Sequence, residues 1–199
     1  PKNKIKFVLS IRERNGSFTV LYETYIDPEN YFIRKEKTVD AKVTDIVISG
    51  DPAVCVDLVV IAEGYTLEEM GKFRKDAGRL ADILFKEAPY NEYKDKFNIR
   101  AVEAVSEESG TDVPGENIYV NTALNSSFYT FDVDRYLTTN DIKAVNDYAA
   151  TVPHDNIIIL INSPRYGGGG VYNYYSGTTS DNRLAEYLFL HELGHAFAG

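Results

Sequence analysis

A chain of 199 residues, 44% apolar and 26% charged, has material for one large domain, or for a small module joined to a medium one. Its 30 acidic residues outnumber the 21 basic ones, and a net charge of −9 argues against a nucleic-acid partner, because neutralising phosphates takes a basic face. No apolar run approaches the roughly 20 residues of a membrane-spanning helix, and the single cysteine, Cys55, excludes an intrachain disulfide.

The opening residues Pro1-Lys2-Asn3-Lys4 carry no signal-peptide core, so any export signal is expected to be absent or already removed. Ile5, Phe7, Leu9 and Ile11 then alternate with polar neighbours, as do Phe18, Val20 and Tyr22 beyond Asn15-Gly16. Alternation on both sides of Asn-Gly predicts a hairpin, since those two residues tolerate the positive φ of a tight turn. A further strand is expected between Thr38 and Ser49. Together these give a small antiparallel, β-sandwich-like module over 1–50, with Gly50-Asp51-Pro52 as the joint. From Val54 strands alternate with helices, so an α+β or α/β domain with a mixed sheet is expected over 51–199. Val56 to Ile61 reads as a strand covered on both faces, with Cys55 a buried, inert thiol at its start. Thr66-Leu67-Glu68-Glu69 has capping-box form and opens a helix to about Lys86. Phe97 to Val105 is the next strand, followed by a polar loop over Ser106 to Asn117. Asn140 to Ala150 reads as a second helix. Ile157 to Ile161 are five consecutive aliphatic residues, the strongest buried-strand signal in the chain. Four glycines, Gly167 to Gly170, and a Tyr-rich segment lead to a last helix from about Asp181.

That last helix contains His191-Glu192-Leu193-Gly194-His195. Residues four apart on a helix lie one above the other, so both imidazoles leave the same face and can bind one Zn²⁺. Glu192 lies about 100° around the helix, beside the metal, where it can take a proton from the attacking water and pass it to a leaving amine. With 3 histidines in the chain, chance produces this pattern roughly 0.003 times, so the spacing is informative. A catalytic zinc takes three protein ligands and a water. The motif supplies two, and the third is expected beyond Gly199. Gly167, Gly168, Gly169, Gly170 and Val171 form the candidate substrate-binding segment, where a peptide backbone adds as an extra strand and the glycines allow close approach. Tyr172 or Tyr174 is a candidate for stabilising the oxyanion. His154 reads as a loop residue. Glu107, Glu108, Asp112 and Glu116 form a polar loop without EF-hand spacing, and no Gly-x-Ser-x-Gly elbow occurs.

Several segments taken in order resemble one family. They are Asp57-Leu58-Val59-Val60-Ile61-Ala62-Glu63-Gly64-Tyr65-Thr66, Glu108-Ser109-Gly110-Thr111-Asp112-Val113-Pro114, Asn162 with Tyr166-Gly167-Gly168, and His191-Glu192-Leu193-Gly194-His195-Ala196-Phe197-Ala198-Gly199. The resemblance is to zinc metallopeptidases grouped with a gut-bacterial immunoglobulin A peptidase, over about residues 50 to 199. It implies a zincin-type, metzincin-like catalytic domain whose C-terminal part is missing here, behind an accessory β module. It implies His191 and His195 as zinc ligands, Glu192 as the catalytic acid/base, and an acidic segment further on for the remaining ligand. It also implies a secreted or cell-envelope bacterial enzyme acting on a protein or peptide, host glycoproteins among the possible substrates. The alternative reading is a non-catalytic glycan- or protein-binding surface module with a vestigial or structural metal site.

Overall fold

The computed structural model describes residues 3–33 and 39–199. The chain divides into two compact units, Pro1–Lys37 and Thr38–Gly199.

Within the first unit, β1 (Ile5–Arg12) and β2 (Phe18–Ile26) form an antiparallel pair, with Ile5 opposite Ile26 and Arg12 opposite Phe18. Asn15 and Gly16 make the turn: the Asn15 side-chain oxygen accepts from the Ser17 N–H at 3.0 Å, and Gly16 takes φ +86°. Among the described residues this unit is a single two-stranded ribbon. The expected third strand does not join it. Thr38, where that strand was to start, lies outside the described residues, and the strand that follows belongs to the second unit.

The second unit runs β3 (Lys42–Val47), β4 (Val56–Glu63), α1 (Met70–Leu84), β5 (Phe97–Glu103), β6 (Ser126–Ser127), β7 (Thr138–Thr139), α2 (Ile142–Ala149), β8 (Asn156–Ile161), β9 (Gly168–Val171), β10 (Tyr175–Thr179) and α3 (Ala185–Phe197). Six strands form one sheet in the order β3-β5-β4-β8-β10-β9, and β6 pairs with β7 in a short ladder. The four central strands, β5, β4, β8 and β10, are parallel to one another, and the two edge strands, β3 and β9, pair antiparallel. It is a mixed α and β fold.

Side-chain alternation divides the core. Leu58, Val60, Ile158 and Leu160 face α1 and α3, while Val59, Ile61, Ile157, Ile159 and Ile161 face α2 and the chain between Val113 and Leu137. All five aliphatic residues of β8 are buried, each worth about 1.5–3 kcal/mol relative to exposure. β3 goes to the sheet because Val43 and Val47 fall opposite Val102 and Ile99, and Ile46 and Val47 cover apolar surface beside α1. The module boundary read at residue 50 therefore does not coincide with the unit boundary, which falls before β3.

Helix ends follow local chemistry. Glu69 accepts the Thr66 N–H at 2.9 Å, the carboxylate half of the expected capping box, and α1 starts one residue later. Asp141 caps α2 through a 3.0 Å bond from the Ala144 N–H. Cys55 is half-buried rather than buried, because it precedes β4 in the turn from Gly50 instead of lying in the strand.

Candidate active site

The last helix is seated unusually close to the sheet, and the cause is the residues beneath it. Antiparallel pairing places Gly168 opposite Thr178 and Gly170 opposite Ser176, so all four share one face. A Cβ on Gly168 would lie 2.9 Å from Glu192 Cγ, and one on Gly170 would lie 2.7 Å from the Glu192 carbonyl oxygen and 2.8 Å from His195 Cβ. On the other face, a Cβ on Gly169 would meet the Leu137 carbonyl at 2.8 Å, and one on Gly167 would meet Phe128 at 2.4 Å. The glycine run is thus the close-packed joint between α3, β9 and the segment from Phe128 to Thr138.

That joint fixes the chemistry-bearing side chains. The rings of His191 and His195 stand edge to face with centroids 4.7 Å apart, as one helical turn dictates. His191 also stacks on Tyr187, four residues earlier, at 5.7 Å and an interplanar angle of 21°. Burial raises the Glu192 carboxyl above the ordinary glutamate value; the two imidazoles and the nearby Gly170 backbone pull it down without cancelling that effect.

His191, Glu192 and His195 line one cavity of about 610 Å³, together with Gly168, Gly169, Gly170 and Val171. Gly167 does not line it. β9 is an edge strand, but the N–H and carbonyl of Gly168 are already bonded to Arg135 and Leu137, at 3.2 and 3.1 Å. The edge left to an added strand is therefore at Gly170, since Val171 pairs inward with Tyr175 and its carbonyl accepts the Tyr174 N–H at 3.0 Å.

The oxyanion candidates are not placed in the cavity. Tyr172 lies against Gly199, and the hydroxyl of Tyr174 is buried without a hydrogen-bond partner. Tyr136, Tyr166 and Tyr187 reach the cavity instead. Of these, Tyr187 was open to the same spacing rule that finds the histidines, being i−4 from His191. Thr130, Phe131 and Arg135 form the opposite wall and carry no sequence signal of their own. The acidic loop is used internally: Asp112 accepts the Val120 N–H, Glu107 and Glu108 bind Asn121, and Glu116 pairs with Arg165. His154 is exposed, as expected of a loop residue.

Two imidazoles converging on a cavity with a carboxylate beside them are a donor set suited to zinc. Among the described residues no three or more His, Cys, Asp or Glu side chains converge to hold a metal ion. The family model described as IgA peptidase M64 matches residues 44–199, and the chain belongs to that family. No curated protein matches it. No helix among the described residues is long and apolar enough to cross a membrane.

Proposed function

We propose that this chain carries the catalytic half-site of a zinc-dependent metallopeptidase of the zincin type. The observation that supports it best is the convergence of His191, Glu192 and His195 on one cavity bordered by an edge strand. His191 and His195 would hold the metal, with a third ligand from outside the described residues. Zinc, when bound, supplies Lewis acidity, polarising the scissile carbonyl and acidifying the attacking water.

The remaining chemistry belongs to the chain. The outward edge of β9 at Gly170 offers the backbone along which a substrate peptide aligns antiparallel, with Val171 following it on the cavity wall. The helix holds Glu192 one residue from His191, with its stem packed over Gly168. Glu192 takes the proton released as water attacks and returns it to the departing amine. No observation favours a non-catalytic binding module.

Glu192→Gln in metal-replete full-length protein is expected to lower kcat at least 100-fold, the scale of a lost general base, while zinc content measured by elemental analysis stays unchanged. Proteolysis persisting at wild-type rate would overturn the role given to Glu192. Loss of zinc in His191→Ala or His195→Ala, with the fold retained by circular dichroism, tests the ligand assignment separately.

A further inference from the structure

The wall of the cavity opposite α3 contains a cation that the peptidase reading does not use. Arg135 is exposed, and it forms no ion pair among the described residues, although Asp132 and Asp134 stand beside it in sequence. Its guanidinium lies over the Tyr136 ring, 5.6 Å from the centroid, and both residues line the cavity with His191, Glu192 and His195. Among the described residues no other lysine or arginine lines that cavity.

The segment is built to hold this position. The Arg135 carbonyl accepts the Gly168 N–H and the Leu137 N–H returns to the Gly168 carbonyl, which ties the backbone on both sides of Tyr136 to the edge strand. Just upstream, Tyr129, Phe131 and Asp132 take φ of +66°, +56° and +59°. Three non-glycine residues in the left-handed region cost energy that surrounding contacts must offset, and such conformations concentrate where a loop must aim a side chain. Phe131, 86% exposed, stands at the cavity mouth as a result.

We propose that Arg135 is a specificity residue that binds a carboxylate of the peptide in the cleft. This rests on the peptidase reading of the site and names what its substrate carries. In a chain of net charge −9, an unpaired guanidinium inside the cleft offsets the repulsion an anionic peptide would otherwise meet. Its planar fork matches a carboxylate with two parallel hydrogen bonds. The carboxylate is either an acidic side chain or a free C-terminus.

The test is equilibrium binding by calorimetry to the zinc-supplemented chain, using three otherwise identical cleavage-resistant peptides. One is neutral with an amidated C-terminus, one has a glutamate in place of glutamine, and one has a free C-terminus. The wild type is expected to bind one carboxylate peptide about tenfold more tightly than the neutral one, more so at low salt. Which peptide it prefers identifies the source. Arg135→Gln should bring the ratio close to one, Arg135→Lys should keep part of it, and Arg135→Glu should reverse it. Equal affinities in the wild type overturn the proposal. So does a preference that survives Arg135→Gln, which would assign the carboxylate to the metal or the histidines. A preference that depends on Arg135, alongside a metal-replete full-length protein that cleaves none of a set of cleavable peptides, would sustain the carboxylate site and sink the peptidase reading alone.

Discussion

Glu63 is a carboxylate with no exposed surface, at the end of the central strand β4. It accepts the Thr122 hydroxyl at 2.7 Å and the N–H groups of Leu124 and Ser126, both at 2.8 Å. One side chain thus ties down the chain that leads through β6 and β7 to the wall bearing Arg135. Burial raises its carboxyl above the ordinary value, against the pull of those three bonds. The folded protein therefore binds this proton more tightly than the unfolded chain, so the contribution to stability is complete below the unfolded value and is lost as pH rises through the raised one. Glu63→Gln removes the titration and opposes an amide N–H₂ to backbone donors. It should cost about 1–3 kcal/mol at acid pH, with the gap to wild type narrowing as pH rises; denaturant titrations at several pH values check the sign. At this scale the sequence speaks through spacing alone. Two histidines four apart announce a shared face, but nothing in the segment around Glu63 tells that its carboxylate is buried, because its partners lie about sixty residues away.

At the scale of elements, β9 and α3 behave as one part. The four glycines admit two readings from sequence, a slack connector or a surface for a bound peptide. The structure gives them a further role: each lacks room for a Cβ, and at Gly168 and Gly170 the obstacle is α3 itself. Gly170→Ala must push against the Glu192 carbonyl and His195 Cβ, backbone and helix stem that cannot swing aside. We expect a loss of about 1–3 kcal/mol, typical of overpacking, and a fall in kcat/KM larger than thermal destabilisation alone explains, since the helix shifts with its histidines. An unchanged melting temperature would show that α3 is not seated on this strand. Strands β4 and β8 are legible as aliphatic runs because a strand buried on both faces needs no polar alternation. β3 is legible as a strand but not as to its sheet, since pairing with β5 brings together residues more than fifty positions apart.

For the whole molecule, the unit boundary before β3 makes a prediction of its own. The second unit holds both core clusters, and among the described residues those draw on none before Ala41. A chain lacking residues 1–37 is expected to keep its secondary structure and a cooperative unfolding transition, read by circular dichroism. The ribbon alone should not fold, because two strands in water are marginal. Loss of the transition in the shortened chain would place part of the core's support in the first unit.

The sequence by itself determined the local facts: where the chain turns, which runs are buried, and that two imidazoles and a carboxylate share one helix. These depend on neighbours within a few residues, where backbone geometry converts spacing directly into direction. Only the tertiary structure decided what faces the trio across the cavity, which part of the edge strand is open, and which sheet β3 joins. Those are contacts between distant segments, selected by the packing of the whole core rather than by any local preference.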